Sequence, residues 1–189
     1  SGAATVLAII GADTARASVR VAQRLAHFVF PQPGYTLDAL GAETTLVVNA
    51  IDANGQAISV AAPTPIWESA DTTTAVVDGT GRVRAVRNGT TYIRARRPAP
   101  ASGADSTVLV VDQRAVRVTI LPPRRDTLGT RDTITVDAVS VDRLGHTVVD
   151  GVPRWSTSDA SVIDFGAGAA GNRVQLNTYR PGDATIEAV

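Results

Sequence analysis

The sequence predicts an all-β fold of tandem antiparallel sandwiches, and three observations carry that expectation. The 189 residues are 44% hydrophobic but only 4% aromatic, and the abundant Val, Ala and Thr suit pleated, half-buried surfaces. Apolar residues alternate with a period of two. Leu46, Val48 and Ala50 interleave with Thr45, Val47 and Asn49, and Ile134, Val136 and Ala138 with Thr133, Thr135 and Asp137. That is the pattern of strands with one face inward. Landmarks also recur. Leu40-Gly41 and Leu128-Gly129 lie 88 residues apart, as do Trp67 and Trp155. Gln23-Arg24 and Gln113-Arg114 lie 90 apart, as do Asp52-x-x-Gly55 and Asp142-x-x-Gly145. A unit of about 90 residues is too long for a solenoid repeat and suits a tandem β-domain.

Taken in order, residues 3–10 and 15–22 form two strands at the head of the chain. The first full unit has predicted strands at 24–30, 43–52, 64–68, 74–78, 81–87, 90–97 and 106–112. The second has them at 115–121, 132–142, 152–156, 161–165, 172–178 and 183–189, with no counterpart of 106–112. Turn signals separate the runs at Asn54-Gly55, Asp78-Gly79, Asn88-Gly89, Leu144-Gly145 and Pro181-Gly182. Prolines 31, 33, 63, 65, 122, 123 and 153 sit beside apolar runs, where edges and turns tolerate them. No run of a dozen residues carries a helical stripe. The linkers Val19 to Arg24 and Val110 to Arg114 lack the Gly and Ser of flexible tethers, so a stiff rod is expected.

Composition narrows function. Lys+Arg and Asp+Glu both number 18, for a formal net charge of zero. This gives no electrostatic case for nucleic acid or an anionic membrane surface. All the basic residues are Arg, a bias without a mechanism. Cys is absent, which removes disulfides, thiolate metal sites and thiol catalysis. No stretch approaches the roughly 20 apolar residues of a spanning helix. No signal peptide is visible and the chain does not begin with Met, so it reads as a mature or excised fragment.

One short motif is written three times: Gly2-Ala-Ala-Thr-Val6-Leu-Ala8, Gly89-Thr-Thr-Tyr-Ile93-Arg-Ala95 and Gly182-Asp-Ala-Thr-Ile186-Glu-Ala188. The middle copy ends the series Trp67-Glu-Ser-Ala-Asp71, Ala75-Val-Val-Asp78 and Gly81-Arg-Val83-Arg-Ala85. That series resembles the bacterial immunoglobulin-like domain of group 2. The second unit repeats it as Trp155-Ser-Thr-Ser-Asp159 and Ser161-Val-Ile-Asp164, and departs from it over 166–178. The Asp-x-x-Gly turn before each Trp is similar to intimin and invasin type domains. The resemblance spans essentially the whole chain. It implies an Ig-like sandwich in bacterial surface or secreted proteins, used as stalk, adhesive array or accessory module, with no shared catalytic residues.

Candidate chemistry is sparse. Gly166-Ala-Gly168-Ala-Ala-Gly171 spells a dinucleotide fingerprint, but Asn172 to Asn177 alternates like a strand where the fingerprint needs a helix. Trp67 and Trp155 recur at one place per unit, as core anchors would; a sugar-stacking platform is the functional alternative. Asp52, Asp71, Asp78, Asp142, Asp159 and Asp164 sit near turns, where carboxylates accept backbone N–H bonds; a calcium site at a domain junction is the alternative. His27 and His146 stand in non-equivalent places without metal-ligand spacing, and no Gly-x-Ser-x-Gly elbow supports a Ser-His-Asp triad. The Arg82/Arg84/Arg87, Arg96-Arg97 and Arg124-Arg125 clusters are balanced by acids and read as solvated faces, with an acidic polysaccharide as the alternative ligand. Asn88-Gly-Thr90 fits a glycosylation acceptor but reads as a turn.

The expected organisation is residues 1–22 as the closing hairpin of a preceding repeat, 23–113 as a complete Ig-like domain, and 114–189 as one lacking its last strand. An isolated hairpin is marginal in water, and an open strand edge invites a partner. Val6, Ile9, Val19 and Val21 of the hairpin and Ile186 of the last strand are therefore candidate assembly residues, joining copies head to tail. The functional expectation is a non-enzymatic extracellular or cell-surface module that is structural or adhesive and needs no cofactor. Its partners would be copies of itself or adjacent repeats, with a surface glycan or protein as a further ligand. The alternative is a carbohydrate-binding accessory module of a secreted enzyme, working through aromatics such as Tyr35 or Tyr179.

Overall fold

A computed structural model describes residues 2–58, 64–99, 103–121, 128–166 and 168–189. Among them there are strands and turns and no helix. The chain opens with a hairpin of β1 (Gly2–Ile10) and β2 (Asp13–Val21), joined by the two-residue turn Gly11-Ala12 and paired over all nine residues of each strand. Every residue of both strands is exposed.

Two β-sandwiches follow. The first contains β3 (Leu25–Val29), β4 (Gly34–Leu37), β5 (Glu43–Thr45), β6 (Asn49–Asp52), β7 (Ile66–Ser69), β8 (Ala75–Val77), β9 (Arg82–Ala85), β10 (Gly89–Arg96) and β11 (Ala104–Val111). One layer is the four-stranded sheet β4-β11-β10-β7; facing it are β3-β6 and β5-β9-β8. The inward residues of alternating strands meet in one core that includes Phe28, Leu37, Leu46, Val83, Ile93, Leu109 and Val111. In β10 the alternation is complete, with Thr91, Ile93 and Ala95 buried between exposed neighbours. This is the half-buried strand that a period of two specifies.

The second sandwich contains β12 (Arg117–Leu121), β13 (Thr133–Val141), β14 (Trp155–Thr157), β15 (Ile163–Phe165), β16 (Arg173–Thr178) and β17 (Ile186–Ala188). Its sheets are β12-β13-β16-β15 and β14-β17. A separate core gathers Val136, Ala138, Trp155, Val174 and Leu176, with Ile186 and Ala188 packed on it. The two sandwiches share register. Trp67 stands opposite Ala95 in the first, and Trp155 opposite Ala188 in the second.

The structure departs from the sequence reading in three places. The run 43–52 is two strands. β5 pairs with β9 and β6 with β3, and Leu46 drops between them into the core at 1% exposure. Alternation continues across the break, so periodicity alone hides it. The second departure is β4, which the flanking Pro31 and Pro33 concealed. The third is its pairing, for β4 runs parallel to β11, so the first sandwich is not purely antiparallel. The prolines lie just before β4, outside the ladder, where their missing N–H costs no strand bond. Pro63, Pro122, Pro123 and the Arg124-Arg125 pair lie outside the described residues.

Candidate functional site

The most heavily built polar site lies where the two sandwiches meet. It begins with a turn: Asp142 directly follows β13, and Arg143-Leu144-Gly145 reverses the chain. Asp142 Oδ1 accepts the backbone N–H of Leu144 and of His146, each at 2.9 Å. A short acidic side chain that binds its own backbone two and four residues on is the usual way to fix such a turn. Its second oxygen faces away from the turn. Oδ2 accepts Gln113 Nε2 at 2.9 Å and the backbone N–H of Leu40 at 3.0 Å. Leu40 belongs to the first sandwich and Gln113 to the linker, so one carboxylate ties three parts of the chain.

The linker is fixed as well. Asp112 N–H donates to Leu37 O at 2.9 Å, and Arg114 N–H to Asp38 O at 3.0 Å. Gln113 N–H donates to Asn88 Oδ1 at 2.9 Å. Three consecutive linker amides are thus held by the first sandwich, while the Gln113 side chain also donates to Thr147 O at 3.1 Å in the second. Gln113 is only 9% exposed and Asp142 1%. Around this centre Arg143 pairs with Asp38 at 2.8 Å, with both side chains about half exposed. The His146 ring lies against the turn at Gly41, whose φ is +71° and where a Cβ would stand 3.4 Å from the ring. A side chain at Gly41 would meet both that backbone strain and the ring.

The electrostatics follow from burial against donors. Enclosure raises the Asp142 carboxyl, and the N–H groups of His146, Gln113, Leu40 and Leu144 outweigh it, holding the group down at about 2. Asp142 is therefore a charged acceptor at neutral pH with every donor preorganised, the strong form of hydrogen bond. Asp71 is also held at about 2, by the Thr73 and Thr74 hydroxyls and the Thr73 amide. There the donors are local, and the site is a turn.

The other candidates are placed as follows. Trp155 is 5% exposed and donates Nε1–H to Gly171 O at 2.8 Å; its ring lies 6.2 Å from Phe165. Trp67 is half-buried, edge-to-face with Phe30 at 5.9 Å, and backs onto Gly81. Gly81 has φ +85°, and a Cβ there would fall 2.8 Å from the indole and from Leu46 O; a side chain would displace the ring. Val6, Ile9, Val19 and Val21 are 57%, 64%, 48% and 66% exposed, and Ile186 is half-buried on the second core. The described part of the glycine-rich segment folds over the Trp155 strand: Trp155 N–H donates to Ala169 O, and Gly171 N–H to Pro153 O. It then enters β16, a strand. Tyr35 packs on the first core, and Tyr179 is exposed. His27 is exposed on β3, far in sequence from the junction histidine. Among the described residues no three His, Cys, Asp or Glu side chains gather as metal ligands.

In the sequence Gln113 stands out only as a repeat landmark, Asn88 as part of a turn and Asp142 as a turn carboxylate. The signal that could have joined Gln113 to Asp142 is their shared offset. The Gln and the Asp recur 90 residues apart, while Trp and Leu-Gly recur at 88. Two polar residues that keep a common spacing through a repeat are candidates for one contact.

No protein-family model and no curated relative matches the sequence. Among solved structures, the chain is similar to the S-layer protein rSbsC(31–844), with 14% identity, a TM-score of 0.42 and coverage of 93% of this chain and 28% of that one. It is also similar to FdeC, an Escherichia coli adhesin (17% identity, TM-score 0.42, 99% of this chain and 68% of that one). A third is a protocadherin fragment, PcdhgB3 EC1–4 (13% identity, TM-score 0.44, 94% and 52%). The chain thus spans under a third of the S-layer structure's length.

Proposed function

We propose that this chain is a structural or adhesive extracellular module of bacterial group 2 Ig-like type, a stiff rod of serial domains acting as stalk, spacer or fibre subunit. Its units are residues 1–22, the closing hairpin of a preceding repeat; 23–113, a complete domain; and 114–189, a domain lacking its last strand. The observation that carries the reading is the junction. Asp142, Gln113 and the Leu40 amide bind one another out of water, so the two sandwiches are held as one body. A catalytic or ligand site would leave polar groups facing a cleft, whereas this one uses both carboxylate oxygens internally. Small-angle scattering tests the rod. Wild-type protein should give one extended, well-defined envelope, and Asp142→Asn a broader ensemble; equal breadth in the two would overturn it.

A second reading concerns fibre formation and rests on two edges. β17 pairs with β14, and among the described residues its other side has no partner, where β10 of the first sandwich has β11. β2 meanwhile presents Val19 and Val21 to solvent. In a fibre, β2 of one copy would complete the second sandwich of the next by strand addition. Light scattering after size-exclusion chromatography decides this. Long or cyclic species at micromolar concentration are expected, and a dispersed monomer would remove the strand-addition arm while leaving the rod.

A further inference from the structure

The junction clamp at Asp142 has a twin at the other end of the first sandwich, and the twin lacks one donor. Asp52 is the last residue of β6, and Asp142 directly follows β13. Its Oδ1 accepts the N–H groups of Asn54 and Gln56, each at 2.9 Å, two and four residues on. Asp52 N–H donates to Gln56 O, and Gly55 N–H to Asp52 O, at 2.9 and 3.1 Å; the matching bonds at Asp142 are 2.9 and 3.0 Å. Oδ2 accepts Gln23 Nε2 at 3.1 Å, as Asp142 accepts Gln113. Gln23 Nε2 also reaches Ala57 O at 3.4 Å, the place of Thr147 O. The carboxylates agree in their turn amides and in their Gln donor, while Gln113 alone adds bonds to Asn88 Oδ1 and His146 O. At the carboxylate the difference is the Leu40 N–H, which reaches Asp142 from the sandwich before it. Correspondingly Gln113 is buried and Gln23 is exposed.

We infer that Asp52 and Gln23 form the docking socket for an Ig-like sandwich placed N-terminal to Gln23 in the same chain, whose Leu-Gly turn donates a backbone N–H to Asp52 Oδ2. The geometry of the occupant is already in the molecule, since the first sandwich holds this position relative to Gln113. The opposite pole agrees. Leu128-Gly129, which matches Leu40-Gly41, borders an open depression of roughly 500 Å³ with Val162, Arg180 and Gly182. In the first sandwich the Leu-Gly turn is instead covered by His146 and bonded to Asp142. The second sandwich carries the same Leu-Gly pair, with Gly129 N–H donating to Asp132 Oδ2 at 2.8 Å. The new junction would lack two side contacts. Ala53 stands where Arg143 pairs with Asp38, and Gln56 where His146 sits. It would rely on the carboxylate alone.

This inference rests on the serial-domain reading, and the experiment separates the two. Residues 1–112 are joined directly to residues 23–189, so that a first-copy sandwich precedes a second-copy Gln23 and Asp52. Amide hydrogen exchange is followed at Leu40 of the first copy, with Leu109 as the folding control. Protection of that amide is expected. Asp52→Asn in the second copy presents an NH2 donor in place of Oδ2 and should accelerate exchange about ten- to a hundredfold, the worth of one hydrogen bond to a charged group. The same change in the first copy should leave that amide unmoved. Free exchange at this Leu40, with native protection at Leu109, overturns the socket while leaving the rod intact. Free exchange at the Leu40 that faces Asp142, unmoved by Asp142→Asn, overturns both. Concentration-dependent protection of Asp52 and Gln23 in the unextended chain would make the occupant a second copy and overturn the assignment within one chain.

Discussion

The two sandwiches follow one pattern, but they differ in which strands flank the Trp-paired strand and in what meets their leading ends. The first has β11 on the outer side of β10 and a core that runs from Phe28 to Val111. The second has the same Trp-to-Ala register on the inner side, where among the described residues β17 pairs with β14 alone, and a separate core around Trp155 and Leu176. At the leading ends the contrast reverses. Asp142 of the second is capped by another sandwich, while Asp52 of the first meets only its own turn and Gln23. The lesson is that one local motif is a turn in one place and a joint in another, according to what is brought to its free oxygen.

The largest expected effect tests the cores. Trp155→Ala should destabilise the second sandwich by about 4 kcal/mol, the usual cost of emptying a buried Trp site. Trp67→Ala should cost about 2 kcal/mol because the ring is already half solvated. Urea unfolding followed by exchange at Leu176 and Leu109 separates the two cores; equal losses would show that the two rings contribute alike despite their difference in burial. Next, Asp142→Ala strands Leu40 N–H in a dry site, frees the turn amides of Leu144 and His146, and should cost about 3 kcal/mol. Asp52→Ala should cost clearly less, because water reaches its Gln. The same exchange experiment checks it.

Acid offers a graded version. The Asp142 carboxyl is held at about 2 against an ordinary 3.8, so its folded value is depressed. Its contribution to stability is complete above about pH 4 and is lost as pH falls through about 2, on the order of 2 kcal/mol. The Leu40 amide shift should titrate with a midpoint near 2, reporting on one sandwich the protonation of the other. A midpoint near 4 would show that the joint is open in solution. The smallest effect belongs to Arg143→Ala. Its ion pair with Asp38 is half exposed, and such pairs contribute little; thermal unfolding should be unchanged within error.

Much of the fold was legible from residue order. The period of two placed β10, β11 and β16, and the repeat placed the tryptophans, because a strand with one wet face must alternate. The split of 43–52 was not, since a sheet change keeps the alternation while redirecting the hydrogen bonds. β4 was hidden because Pro31 and Pro33 signal a turn, and its parallel mate lies some 74 residues on (Gly34 to Val108). At the candidate site the types were readable and the partnership was not. Asp-x-x-Gly identifies a turn whose acid binds its own amides, which is local chemistry.

The sequence by itself determined the β class, the repeat, the two-faced strands and the turns at Asp52 and Asp142, because each depends on neighbours within a few residues. Tertiary structure alone decided that Asp142 is shared between two sandwiches and the linker, while Asp52 meets only its own turn and Gln23. The deciding group is the backbone N–H of Leu40, 102 residues from Asp142. Every residue but proline carries that donor, so no side-chain pattern could announce it.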